Sequence, residues 1–164
     1  MRDEFRRELL RIAAATVGVV ELSHNSGPEI DDWLAYAHAK PGDPWCASWV
    51  ATMHHYAANA VNSINPCPRS ATVITMWDLT LPECRRPVPY PGCVYFLDHG
   101  GHTGHAGIIE TVSPGGTVMS EVSGNTNGAG SREGDRVARH HGPPELSHGG
   151  KLLGFADYSE LLPL

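Results

Sequence analysis

The chain has 164 residues, of which 41% are hydrophobic and 18% are charged, and its formal net charge is −6. This length and composition predict a single globular domain over residues 1–164. The negative charge and the lack of a Lys/Arg block exclude a nucleic-acid-binding protein. No apolar run approaches the roughly 20 residues of a membrane-spanning helix, which excludes membrane insertion.

The first half of the sequence predicts helices. Apolar residues recur at helical spacing over residues 4–18, and the mixed charges before them differ from the basic start of a signal peptide. We therefore expect a domain helix there and no Sec signal. Further helices are predicted over residues 28–39, over residues 44–62 and, from a short β-branched segment, over residues 71–78.

The second half of the sequence predicts strands. From Pro87 onwards, short apolar runs alternate with Gly, Pro, Asn and Asp. This spacing leaves no room for crossover helices and favours an antiparallel sheet. The predicted strands cover residues 93–97, 105–112, 117–123, 136–140 and 152–158. Helices followed by strands indicate an α+β domain, with N-terminal helices packed on a C-terminal antiparallel β-sheet.

Cys46 stands at the predicted start of the third helix. Asp43 is a suitable N-cap residue, and Pro44 suits the first helical position. The positive end of the helix dipole would favour the thiolate of Cys46, although a buried structural cysteine is the alternative. The four cysteines match no zinc spacing. Cys67 and Cys84 could be bridged, but free thiols are expected in a protein without a signal.

A histidine placed near the cysteine would make Cys46 a candidate nucleophile. The loop and strand that could supply it contain His99, His102 and His105. His105 is the best candidate because it opens a strand, which would hold its ring. On the next strand, alternation places Glu121, Ser123 and Asn125 on one face, where an oxygen could orient the imidazole. This order of Cys, His and polar residue is that of a papain-like thiol hydrolase.

Several segments spread in order over nearly the whole chain carry a family resemblance. They are GVVE (residues 18–21), NSGP (25–28), PGDPWCA (41–47), PGCVYF (91–96), GHAGII (104–109), GNTN (124–127), GSREGDRV (130–137) and LGF (153–155). Together they resemble CHAP-type peptidoglycan amidases and endopeptidases, which belong with the papain-like and NlpC/P60 hydrolases. The GNTN and GSREGDRV segments are similar to bacteriophage lysins.

The resemblance implies a papain-like, NlpC/P60-type fold and a set of catalytic roles. Cys46 would be the nucleophile and His105 the general base and acid. Asn125 would orient the His105 ring, with Glu121 as the alternative for this third position. The thiolate of Cys46 would attack an amide carbonyl, and its backbone N–H would donate to the oxyanion.

Three further residues are expected to contact the substrate: Trp45, Asp43 and His102. The chain departs from the family at Ser123, where the family often has Glu, and at Cys93, where it usually has a non-catalytic Asp. The acidic calcium-binding residues of some CHAP domains have no counterpart here. We therefore predict no metal and no cofactor.

The implied activity is hydrolysis of an amide in peptidoglycan. The bond is either the N-acetylmuramoyl–L-alanine bond or one within the stem peptide or cross-bridge. We expect a monomeric endolysin of the bacteriophage type. It would be made in the bacterial cytoplasm without a Sec signal and would act on the cell wall after release.

Three alternatives stay open. A secreted antibacterial amidase effector would have an immunity protein as its partner. A zinc-dependent amidase would use His102 and His105 as ligands, although no clear third ligand follows them. A non-catalytic wall-binding module would keep the fold without the chemistry, and Ser123 in place of Glu is the feature that favours it.

Overall fold

The computed structural model describes residues 1–127 and 134–164. Within them the helices are α1 (Arg2–Ala15), α2 (Pro28–Tyr36), α3 (Cys46–Ala60), α4 (Val73–Asp78) and α5 (Pro144–His148), with 3-10 helices at Pro82–Cys84 and Tyr158–Leu161. The strands are β1 (Arg85–Arg86), β2 (Val94–Gly100), β3 (Thr103–Val112), β4 (Val118–Thr126), β5 (Arg136–His141) and β6 (Lys151–Ala156). They form one antiparallel sheet in the order β1-β6-β2-β3-β4-β5.

The predicted α+β class is confirmed, and every predicted helix and strand has a counterpart. The element ends differ by a few residues. β2 continues to Gly100 because its neighbours supply backbone partners that a single sequence does not reveal: Asp98 pairs with both Gly104 and Lys151. The short helix α5 was not predicted.

The helix α3 is the centre of the main core. All residues from 46 to 54 are buried. The helix α1 covers one side of α3, and the sheet covers the other. Trp49 is fully buried, and its indole N–H donates to Thr16 Oγ1 at 3.1 Å. At about 25 cal/mol per Å² over the roughly 150–250 Å² that an aromatic side chain buries, Trp49 contributes about 4–6 kcal/mol.

The sheet has two buried faces. The helix-side face carries side chains that join the main core: Val94, Phe96, Ala106, Ile108 and Val122. The far face carries the side chains that alternate with them and form a second, smaller cluster, including Cys93, Tyr95, Leu97 and Ile109. Because successive side chains point to opposite faces, every residue of β3 can be assigned to one face.

The strands β3 and β4 separate at one end. Residues 104–107 of β3 pair with β2, but in the described residues pairing between β3 and β4 begins at Ile108 and Val122. The N-terminal end of α3 lies at this separation. A Cβ on Gly124 of β4 would lie only 2.6 Å from the Trp45 ring and 3.1 Å from Trp49 Cβ. The fold therefore places the start of α3 where the two strands part.

Two further properties follow from the described residues. None of their helices is both long and apolar enough to span a membrane. All four cysteines are free, so Cys67 and Cys84 are not bridged.

Candidate functional site

Cys46 is the first residue of α3 and follows the N-cap residue Trp45. The prediction that Asp43 caps this helix was wrong, as was the placement of Pro44 within it. The Asp43 carboxylate instead accepts from the backbone N–H of Lys40 at 3.1 Å, closing the preceding turn. The helix start is therefore fixed by burial of Trp45 and Cys46 rather than by a side-chain cap.

The Cys46 sulfur is surrounded by protein. Only 5% of the residue is exposed. Burial raises the pKa of the Cys46 thiol to about 11, although the backbone N–H groups of Ala106, Ala47 and Cys46 itself act in the opposite direction. The prediction of a thiolate at Cys46 was therefore wrong, because desolvation of the charge outweighs the effect of the helix end. The group is a neutral thiol.

A pocket of about 150 Å³ adjoins Cys46. Its walls come from the N-terminal end of α3, the segment before α4 and the turn between β2 and β3: Pro44, Ala71, Thr72, Val73, His99, His102, Thr103 and Gly104. His102 has a positive φ of 62°, and its Nε2 lies 3.4 Å from Thr75 Oγ1. The predicted substrate residue His102 thus lines the same pocket as Cys46.

The other two predicted substrate residues are placed differently. Trp45 is fully buried, and its indole N–H donates to Glu21 Oε1 at 2.8 Å. It packs at a ring-centroid distance of 5.6 Å from Trp33, inside the core. Asp43 belongs to the turn before α3 and is not among the residues that line the pocket. Trp45 is therefore a core residue that holds the start of α3 in place, and it does not line the pocket.

His105 is fully buried on the far face of the sheet, directly opposite Leu97 of β2. Its ring centroid lies 4.3 Å from that of His148 and 6.2 Å from that of Tyr95. Neither ring nitrogen has a hydrogen-bond partner among the described residues, so Cys46 and His105 are not hydrogen-bonded. Burial lowers the pKa of His105 well below its usual value, and His148 lowers it further.

Asn125 lies in an irregular part of β4. Its φ is +53°, and the register between β4 and β5 shifts between Ser123 and Thr126. The residue is 1% exposed, and its Oδ1 has no hydrogen-bond partner among the described residues. This buried amide oxygen is therefore able to accept a hydrogen bond.

Glu121 is the centre of a buried polar group on the far face. Its Oε1 lies 2.9 Å from His140 Nδ1 and 2.7 Å from His148 Nε2, and its Oε2 accepts from the Tyr95 hydroxyl at 3.0 Å. Burial raises the pKa of Glu121, but hydrogen bonds from His140 and His148 outweigh it and bring the pKa to about 2. Glu121 is therefore a carboxylate engaged by three donors.

His140 has an oxygen at each ring nitrogen. Besides Glu121 Oε1, the backbone carbonyl of Asn127 lies 2.7 Å from Nε2. Burial lowers the pKa of His140, but these two acceptors outweigh it and raise the pKa above its usual value. Sequence reasoning missed His140 and His148. The alternation of β5 could have placed His140 on an inner face, whereas no spacing pattern identifies His148.

One group in the described residues could hold a metal ion. It consists of Glu121, His140 and His148, whose ligand atoms all lie within 4.8 Å of one another. It contains neither His102 nor His105, the pair considered for a zinc-dependent amidase. His102 lies in a turn beside Thr75, and His105 lies in the buried far face.

A wider groove lies away from these residues. It has a volume of about 420 Å³ and runs between Trp77, Arg85, Leu153 and Gly154. Arg85 lies over the Trp77 ring at 4.3 Å from its centroid. The groove contains none of the predicted catalytic residues, so the smaller pocket beside Cys46 is the better candidate for chemistry.

No known protein family matches the sequence, and neither a curated protein nor a solved structure shows significant similarity to it. The GSRE part of the segment that resembles bacteriophage lysins, residues 130–133, lies outside the described residues. In the absence of such similarity, the function has to be inferred from the fold and from the geometry of the site.

Proposed function

We propose that the chain is a cysteine-dependent peptidoglycan hydrolase with a papain-like, NlpC/P60-type fold. The observation that carries the proposal is the position of Cys46. It is the first residue of a buried helix, it borders a pocket, and backbone N–H groups surround its sulfur. The choice of peptidoglycan as substrate rests on the resemblance to CHAP-type enzymes.

The proposed reaction begins from a neutral thiol and a neutral imidazole. The thiol proton passes to His105, and the sulfur attacks the amide carbonyl to form a tetrahedral intermediate. The backbone N–H of Cys46 is available to donate to the oxyanion, and one such donor is worth about 2.7–4 kcal/mol. His105 then protonates the leaving amine, and water hydrolyses the thioester. The reaction requires the His105 ring to reach hydrogen-bonding distance of the sulfur.

Asn125 is the better candidate for the residue that orients His105. Its amide oxygen is buried and has no hydrogen-bond partner among the described residues. Glu121 is already engaged by His140, His148 and Tyr95. Asn125 therefore has an acceptor to offer the imidazole, whereas Glu121 would first have to give up another donor.

The biological setting proposed is a monomeric bacteriophage endolysin, made in the bacterial cytoplasm and acting on the cell wall after release. The basis is the similarity of residues 124–127 and 130–137 to bacteriophage lysins. A secreted amidase effector would use the same chemistry but would be inhibited by an immunity protein. A wall-binding module would bind peptidoglycan without releasing any product.

The decisive experiment is digestion of purified peptidoglycan followed by mass spectrometry of the soluble products. Wild-type protein is expected to release fragments with new peptide or amino-sugar ends that identify the bond cut. Cys46→Ser should release none, while Cys67→Ser, which changes a cysteine of equal exposure away from the pocket, should behave as wild type. Equal digestion by wild type and Cys46→Ser would refute the thiol mechanism.

A further inference from the structure

The far face of the sheet carries a group of side chains to which the proposed thiol chemistry, with Asn125 as the orienting residue, assigns no role. Glu121 of β4, His140 of β5 and His148 at the end of α5 come from three separate elements. All three are buried, with 0%, 6% and 7% of their surfaces exposed. Burying three polar side chains in one place is unfavourable unless each has a strong partner.

We infer that Glu121, His140 and His148 form a binding site for a divalent transition metal, with Zn²⁺ as the ion that fits the donor set. One ligand atom from each residue lies within 4.8 Å of the other two. Two imidazoles and one carboxylate, with a fourth position left for water or another group, are a donor set that Zn²⁺ accepts. Hard cations such as Mg²⁺ and Ca²⁺ prefer oxygen ligands and do not fit it.

The surroundings hold two of the three ligands, His140 and Glu121, in the way that metal sites require. A metal-bound histidine normally donates its other ring N–H to a carbonyl or carboxylate, and His140 Nε2 lies 2.7 Å from the Asn127 carbonyl oxygen. The second oxygen of Glu121 accepts from the Tyr95 hydroxyl at 3.0 Å. Nδ1 of His140 and Oε1 of Glu121, which face each other at 2.9 Å, would therefore be the atoms that bind the ion.

A second observation is that the hydrogen bonding of this buried cluster is incomplete. Nδ1 of His148 and both ring nitrogens of the adjacent His105 are buried without a hydrogen-bond partner among the described residues. Without a metal, His140 has an oxygen at each nitrogen and must carry two protons to satisfy both. With a metal, Nδ1 of His140 would use its lone pair, and its one proton would lie on Nε2, facing the Asn127 carbonyl oxygen.

The inference goes beyond the proposed function, because metal binding at this site needs neither Cys46 nor peptidoglycan. The test is titration of full-length, chelator-treated protein with ZnCl₂, followed by calorimetry and by elemental analysis after dialysis. Wild type should bind one zinc per chain with a Kd at or below about 1 μM. Glu121→Gln, His140→Gln and His148→Gln should each weaken binding by more than about 100-fold, since even residues that only orient ligands contribute roughly 10–100-fold.

A matched control is His141→Gln. His141 is the neighbour of His140 on β5 but is exposed, so this variant should keep wild-type affinity. Zinc should also raise the Tm of wild type and of His141→Gln, and not that of the ligand variants. If circular dichroism shows that a ligand variant does not fold, the inference is tested by the zinc stoichiometry and the zinc-induced Tm shift of wild type. No binding by wild type, or binding that persists in all three ligand variants, would overturn the inference.

Discussion

The Cys46 sulfur faces the backbone N–H of Ala106, while the ring of the preceding residue, His105, lies on the opposite face of the sheet beside His148. The Cys46 sulfur therefore contacts the backbone of β3 next to His105, and no hydrogen bond joins the two side chains. In the described residues, β3 and β4 are not paired next to Ala106, because their pairing begins at Ile108 and Val122. The proposed reaction requires the His105 ring to come within hydrogen-bonding distance of the Cys46 sulfur.

The protonation state of Cys46 leads to a labelling prediction. With a pKa of about 11, about one molecule in 10⁴ carries the thiolate at neutral pH, and the residue is only 5% exposed. Alkylation of Cys46 by iodoacetamide should be slow at neutral pH and should speed up about tenfold per pH unit towards the pKa. Mass spectrometry of the peptide that contains Cys46 measures the rate.

An unstructured peptide that contains one cysteine serves as the reference for this labelling experiment. Its rate should level off near its ordinary thiol pKa, at about 8.5, whereas that of Cys46 should continue to rise. A Cys46 rate that is already constant between about pH 6 and about pH 8 would indicate the thiolate form and contradict the buried neutral thiol.

The third catalytic position can be tested at Asn125. Because its φ is +53°, an Asn125→Gly variant removes the amide without straining the backbone. We expect kcat for peptidoglycan hydrolysis to fall roughly 10²–10⁴-fold, as for loss of a group that fixes an imidazole tautomer. The Tm should fall only slightly.

Asn125→Asp is the conservative companion of that variant. It keeps an oxygen acceptor and tolerates a left-handed backbone, so it should recover a large part of the activity that Asn125→Gly loses. If Asn125→Gly keeps the wild-type kcat, Asn125 is not the residue that orients His105. The carboxylate of Glu121 would then be the remaining candidate for the third position.

The sequence was sufficient for the elements but not for the environment of the site. The alternation and spacing after Pro87 predict the sheet, because the apolar pattern of a strand is local. The burial of Cys46 depends on Trp45 packing inside the core and on β3 lying across the helix start, neither of which is local. The helix dipole alone therefore predicted a thiolate at Cys46, whereas burial by the tertiary structure favours the neutral thiol.

The Glu121 group shows a second limit of sequence reasoning. Glu121 and His140 face each other as a cross-strand pair of β4 and β5, a register that the sequence does not specify. His148 joins them only because the short helix α5 returns to the sheet after the turn at Gly142. Because these three residues come from β4, β5 and α5, no short sequence motif contains them.

The contact between β4 and α3 predicts a steric effect at Gly124. A Cβ at this position would lie 2.6 Å from a carbon of the Trp45 ring and 3.1 Å from Trp49 Cβ. Gly124→Ala should therefore lower the free energy of unfolding by about 1–3 kcal/mol, as overpacking in a core typically does. Urea unfolding followed by tryptophan fluorescence measures this change.

Gly115→Ala is the matched control for Gly124→Ala. Its added Cβ would meet only Ser113 Oγ, at 3.9 Å. The free energy of unfolding should change by less than about 0.5 kcal/mol. Equal effects of the two substitutions would show that the start of α3 does not pack against β4 as described.

Asp157 predicts how stability depends on pH. The residue is 1% exposed, and its carboxylate accepts from the Tyr90 hydroxyl at 2.6 Å, from the Ser159 backbone N–H at 2.9 Å and from Arg6 Nη2 at 2.9 Å. Burial raises the pKa of Asp157, but these three donors outweigh it and leave the pKa below 3.8, its value in an unfolded chain. A lowered folded pKa stabilises the fold above the unfolded value, and this stabilisation is lost as the pH falls through the folded pKa.

Asp157→Asn should remove this contribution and reduce the free energy of unfolding near neutral pH by about 2–3 kcal/mol, since it weakens hydrogen bonds to a charged group. Asp135→Asn is the control, because the Asp135 side chain is 49% exposed and pairs with the adjacent Arg136; its effect should stay below about 1 kcal/mol. Urea midpoints measured from neutral pH to acid should fall more steeply below pH 3.8 in wild type than in Asp157→Asn. Parallel curves would show that Asp157 has the same pKa in the folded and unfolded chains, so that its three donors do not stabilise the carboxylate.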